Sequence, residues 1–271
     1  MAVAEQTIEL AGAPVFYLHA PPVEATVVYL HGTPTSADDW VPFLERSGGL
    51  APDLPGFGRS SKAANLDFSL PGYVRFLEQF LRAAATTEIS LVGHGWGGAI
   101  ALAYALEHPR HVQRVTIIDA VPMLPGFEWP RPVRRLRQSA IGELMMGSVG
   151  RRLLARSLRS GTVTPEAWSE ERIDAVWAQF DQGTQRATLR LHRSIDGAGL
   201  AAAGAPLLTL DIPSLVVWGE EDPWMSSGYA EAYVHILPRA ELMRVGNAGH
   251  WPWLDQPSVI DRVAAFASHG R

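Results

Sequence analysis

Residues 89–98, I-S-L-V-G-H-G-W-G-G, constrain this chain more than any other stretch. A short apolar run stops at Gly93-His94-Gly95-Trp96-Gly97, and the small-residue pattern Ala99-Ile100-Ala101-Leu102-Ala103 follows. The order predicts a strand, a sharp turn and a helix, with glycines on both sides of one central position. That position is Gly95, which has no side chain. The apex of the turn therefore carries no attacking atom of its own.

The rest of the chain repeats the alternation. Short runs rich in Val, Ile and Leu at 26–30, 89–92, 115–118, 212–218 and 242–245 predict strands buried on both faces. Between them, 73–84, 96–107 and 258–267 predict helices, the second stopped by Pro109. Alternation of this kind predicts an α/β chain with a doubly wound, mostly parallel sheet. Ligands of such sheets gather beyond the carboxyl ends of the strands. Residues 122–210 break the pattern, with no clear strand and helical stretches at 133–143, 150–159 and 165–183. The expected organisation is a main domain of residues 1–121 and 211–271, with a helical cap of residues 122–210 inserted into it.

Four more loops follow predicted strands: His31-Gly32-Thr33-Pro34, Asp53-Leu54-Pro55-Gly56-Phe57-Gly58-Arg59-Ser60, Gly219-Glu220-Glu221-Asp222-Pro223 and Asn247-Ala248-Gly249-His250-Trp251. In this order they resemble the oxyanion loop, fourth-strand turn, acid loop and histidine loop of the α/β-hydrolase family. The 93–97 segment resembles that family's G-x-S-x-G nucleophile elbow. The resemblance spans nearly the whole chain.

The resemblance implies a role for each loop. His250 matches the base, and Asp222 the acid that orients it, in the chain order nucleophile, Asp, His. Asp119, at the end of the sixth strand, is a second candidate acid. The oxyanion hole falls to the backbone N–H groups of Thr33 and Trp96, which survive any change at position 95. Asp53, Gly56 and Gly58 read as supports of their turn.

Gly95 leaves three readings open. It is a substitution that disables a working hydrolase, the mark of a ligand-binding pseudoenzyme, or a sign that the His250–Asp222 pair acts directly as a general base. Glycine suits the turn, because an elbow holds its central residue in a strained conformation. Its presence relieves roughly 1–3 kcal/mol. The resemblance covers a serine branch and an aspartate branch, the latter with epoxide hydrolases and haloalkane dehalogenases. Epoxide hydrolases use cap tyrosines, and the tyrosines here (17, 29, 73, 104, 229 and 233) all lie outside 122–210. Haloalkane dehalogenases hold halide with the Trp after the nucleophile, which Trp96 matches, and often with an Asn or Trp after the His-Gly pair, where Thr33 stands, so the resemblance implies a halide site only half built. The balance favours the serine branch and a small apolar ester or carbon–carbon bond substrate.

Composition narrows the rest. A net charge of -5 gives no reason to expect nucleic acid, and the absence of cysteine leaves no disulfide or thiolate site. No cofactor or metal is expected. No apolar run is long enough for a membrane span, and residues 1–22 lack a signal-peptide pattern, so a cytoplasmic protein is expected. Arg131, Arg134, Arg135, Arg137, Arg151, Arg152, Arg156 and Arg159 make the front of the cap basic. Most of its apolar side chains, among them Phe127, Trp168 and Met146, are expected to pack against the main domain. Trp129, Met145 and Trp177 are the candidates for lining a substrate pocket.

Overall fold

A computed structural model of the chain describes residues 1–269. Eight strands form one sheet in the order β1-β2-β4-β3-β5-β6-β7-β8. They are β1 (Ala4–Leu10), β2 (Ala13–Ala20), β3 (Thr26–Leu30), β4 (Gly49–Pro52), β5 (Ile89–His94), β6 (Val112–Ile118), β7 (Ser214–Gly219) and β8 (Ala240–Val245). β2 pairs antiparallel with β1 and β4, and all pairs from β4 to β8 are parallel.

Among the described residues, twelve α-helices accompany the sheet. They are α1 (Val41–Ser47), α2 (Leu70–Ala83) and α3 (Trp96–Glu107) before the insertion, and α10 (Gly228–Ile236), α11 (Pro252–Asp255) and α12 (Ser258–Ser268) after it. Between β6 and β7 lie α4 (Arg131–Leu136), α5 (Ile141–Gly147), α6 (Arg151–Arg159), α7 (Glu170–Gln179), α8 (Gln182–Ser194) and α9 (Gly197–Gly204).

The central strands show why the sequence folds this way. Every residue of β5 and β7 is buried. Along β3, Val28 and Leu30 join a core with Leu77, Ile100 and Tyr233 of α2, α3 and α10. Val27 and Tyr29 face the other way, into a core with Phe43 and Val263 of α1 and α12. A period of two thus feeds two apolar layers, as a doubly wound sheet requires. The predicted doubly wound sheet with an inserted helical segment is the fold observed.

Several boundaries differ from expectation. The 115–118 strand starts at Val112, and the 212–218 strand starts only at Ser214. The 73–84 helix begins at Leu70, because Ser69 accepts the Gly72 N–H at 3.1 Å as an N-cap. The predicted helix 133–143 is two helices, broken at Ala140, whose φ is 65°. The predicted helix 165–183 is also cut, since Ser169 and Asp181 both cap helices that start after them. The β1–β2 hairpin, whose turn places Ala11 and Gly12 at positive φ, was not foreseen.

Candidate active site

The tight join of β5 to α3 places Gly95. A Cβ on Gly97 would stand 2.0 Å from the Leu30 carbonyl oxygen, so only glycine lets α3 approach the sheet this closely. Gly95 itself turns the chain at φ 54° and ψ −118°. Its N–H donates to Ile118 O at 3.1 Å, and its carbonyl accepts from Val121 N at 2.9 Å. The strained geometry of an elbow is therefore fully built, with the residue that adopts it most cheaply.

His250 follows β8. Its Nδ1 lies 2.7 Å from Asp222 Oδ2, so in the neutral ring Nδ1 carries the proton and Nε2 the lone pair. Nε2 lies 3.7 Å from where a Cβ on Gly95 would stand, and the nearest atom, Gly32 Cα, is 3.5 Å away. Both are ordinary van der Waals distances, so a side chain fits there. The His250 backbone is held on both sides. Its N–H donates to Gly161 O at 2.7 Å, and its carbonyl faces His94 Nε2 at 2.8 Å.

Asp222 follows β7. Its Oδ1 accepts the N–H groups of Trp224 (2.7 Å) and Met225 (3.0 Å). Burial alone raises its pKa, but the His250 ring and those N–H donors outweigh burial and hold the carboxyl below its usual range. Asp119 closes β6 and completes a group with Asp222 and His250 whose polar atoms lie within 4.8 Å of one another. It accepts the Gly219 N–H at 3.1 Å. Burial, then the Asp222 charge, pushes its pKa well above the usual carboxylate value. The two acids behind this histidine are thus shifted in opposite directions.

The loop after β3 brings Thr33 beside the elbow. His31 shapes that loop by donating Nδ1–H to Gly32 O (2.7 Å) while Nε2 accepts the Leu54 N–H (2.9 Å). Asp53 is committed to the Ala37 and Arg59 N–H groups, each at 2.7 Å. Above these residues lies a cavity of about 430 Å³. Thr33, Gly95, Trp96 and His250 form its floor side, while Trp129 and Met145 of the insertion also line it.

Trp177 does not line the cavity, contrary to expectation. With the helix cut at Asp181, its ring packs 6.2 Å from Phe180, and Phe180 reaches the cavity instead. Trp168 packs edge-on against Trp251. His192 is a lining residue the sequence did not reveal. It sits on α8, nearly a hundred positions from its partner Trp96, and no local pattern links the two.

The family model for the alpha/beta hydrolase fold matches residues 25–257. The chain belongs to the α/β-hydrolase family. This α/β-hydrolase is 28% identical to a haloalkane dehalogenase of Mesorhizobium japonicum, over 92% of this chain and 86% of that one. It is 23% identical to Lipase 3 of a Moraxella species (84% and 72% of the two chains) and 26% identical to a 2-hydroxymuconate semialdehyde hydrolase of a Pseudomonas species (93% and 87%). Among solved structures, a haloalkane dehalogenase loop variant from Bradyrhizobium elkanii superposes with a TM-score of 0.85 at 22% identity, covering 98% of this chain and 97% of that one. At that identity the likeness concerns the α/β-hydrolase fold alone. No helix among the described residues is long and apolar enough to cross a membrane.

Proposed function

We propose that this chain is a hydrolase of the serine branch, made for a small apolar ester or carbon–carbon bond substrate, with its nucleophile position held by Gly95. One observation carries the reading: His250 Nε2, backed by Asp222, points at the place of a Gly95 side chain from 3.7 Å. A base so placed takes a proton from whatever stands there. The N–H groups of Thr33 and Trp96 serve as the oxyanion hole. Asp222 is the acid rather than Asp119, because Asp222 Oδ2 lies 2.7 Å from His250 Nδ1 while Asp119 accepts the Gly219 N–H. As it stands, the chain binds such a substrate and cleaves it at most weakly, through water activated by His250. Trp129 and Met145 contribute the apolar wall. The division into a main domain of 1–121 and 211–271 and a cap of 122–210 belongs to the same proposal.

The relatives' names also support the aspartate branch. Against it stands the Trp96 indole N–H, the halide donor the resemblance implies, which is committed to His192 Nε2 at 3.3 Å. Hydrolysis of a short p-nitrophenyl ester by the chain, Gly95→Ser, and Gly95→Ser/His250→Ala decides. The serine reading expects turnover with a burst from Gly95→Ser, lost in the double variant. A folded but inert Gly95→Ser, together with halide release from a haloalkane by Gly95→Asp, replaces it with the aspartate branch. Tight ligand binding with no turnover in any variant leaves a pseudoenzyme.

A further inference from the structure

We propose that the elbow of this chain binds a small monocarboxylate, of the size of formate or acetate, in the place a nucleophile side chain would take. The space is present. A carbon attached to Gly95 would have its nearest neighbours at 3.5 and 3.7 Å, and Gly95 opens onto the 430 Å³ cavity. A free one-carbon or two-carbon acid stands further from the Gly95 Cα than a bonded carbon would, in the part of the cavity that Gly95 and His250 line.

The polar groups around that space lack partners within the protein. The N–H groups of Thr33 and Trp96 make no hydrogen bond among the described residues, and neither does His250 Nε2. The His250 side chain is only 8% exposed. Trp96 N–H opens α3, a helix of 12 residues, whose partial positive charge favours an anion. When a carboxylic acid enters, its O–H bond breaks and an N–H bond forms at Nε2. The carboxylate then accepts from Nε2–H and from the two backbone N–H groups. The imidazolium is shared between the bound anion and Asp222.

The walls select the class. Trp96, Trp129, Val121 and Met146 present apolar surface around this one polar corner. A second anionic group, as on a dicarboxylate or a phosphate monoester, would meet hydroxyls such as Ser148 and Ser157 but no Lys or Arg among the lining residues. A short alkyl chain on a single carboxylate meets what it needs. The inference stands apart from the ester reading, since binding to the resting chain needs no turnover.

The test is titration of the isotope-labelled full chain with sodium acetate at neutral pH, following the Thr33 and Trp96 amides and the His250 ring by NMR. Sodium chloride at equal ionic strength is the control. Saturable, millimolar shifts at those three sites with acetate, and none with chloride, are expected. Gly95→Ala puts a methyl into the site and should weaken binding at least about tenfold. His250→Gln leaves the elbow backbone untouched and should do the same, which keeps the test intact if Gly95→Ala does not fold. Absence of saturable shifts, or equal acetate affinity in a folded variant, overturns the proposal. An inert Gly95→Ser esterase that still binds acetate as the Gly95 chain does would refute the ester reading and this proposal together, because the serine side chain should occupy the site.

Discussion

Trp96 donates its indole N–H to Nε2 of His192 at 3.3 Å, and His192 donates Nδ1–H to the Thr188 carbonyl at 2.8 Å. The pair joins the first residue of the elbow helix to the inserted helices. Burial drives the His192 pKa down to about 4, so at neutral pH the ring is uncharged and Nε2 is an acceptor. Arg137 adds to the same junction, donating to the backbone carbonyls of His192 and Ile195.

His192→Leu should strand the Trp96 N–H in an apolar wall and cost about 1–3 kcal/mol. Trp96→Phe should cost a similar amount, and the double variant less than the sum. Urea denaturation of the four proteins measures the coupling. Strict additivity would mean that the 3.3 Å contact contributes nothing.

Gly95→Ser should fold but be less stable by roughly 1–3 kcal/mol, since φ 54° is costly for a residue with a Cβ. Crowding is not the cause, given the 3.5 and 3.7 Å clearances. At roughly 2–4 °C per kcal/mol for a chain of this size, the melting temperature falls by several degrees. Calorimetry showing no decrease would remove elbow strain from the account.

The two acids should separate cleanly in a Gly95→Ser background. Asp222→Asn should lower kcat by roughly 10³–10⁴-fold, through loss of the carboxylate behind His250. Asp119→Asn keeps an oxygen for the Gly219 N–H and leaves the Asp222–His250 contact in place, so kcat should change by less than about tenfold. Comparable losses from both would show that the charge is shared between them.

Asp39 and His192 should tilt stability in opposite directions with pH. Burial raises the Asp39 pKa from 3.8 to about 7, so its contribution is full below about pH 4 and is lost as pH rises towards 7. His192, lowered from 6.5 to about 4, contributes fully above pH 6.5 and loses that contribution as pH falls to about 4. His31 and His94, also lowered by burial, act in the direction of His192, and Asp119 in that of Asp39. The stability of Asp39→Asn relative to the unaltered chain should therefore grow steadily from pH 4 to pH 7. Denaturant midpoints across that range measure it, and a flat difference would refute an ionisable buried Asp39.

Asp255 accepts three backbone N–H groups, from Val163 (3.1 Å), Thr164 (2.8 Å) and Gly249 (2.9 Å). It ties the insertion to the histidine loop. Asp255→Ala should cost about 2–3 kcal/mol and speed amide exchange at Thr164 and Gly249. Protection left unchanged at both amides would show that the carboxylate is dispensable.

The sheet was legible because parallel strands buried on both faces leave unbroken Val, Ile and Leu runs. The site loops were legible because each follows such a run. The edge hairpin was not: β1 is mostly exposed, so no apolar run marks it. Helix breaks at Ala140, Ser169 and Asp181 were missed because periodicity alone does not reveal where a cap wins over continuation. The place of His192 and the raised pKa of Asp119 depend on contacts between distant segments. Only folding makes those contacts visible.

The main chain of His250 has an outcome of its own. Its N–H hangs on the Gly161 carbonyl, which belongs to the inserted stretch, while its carbonyl rests on His94 in the sheet. Lifting that stretch as a rigid flap would unhook the base from one of its two moorings. The placing of the imidazole is thus tied to the placing of a stretch far from it in the chain.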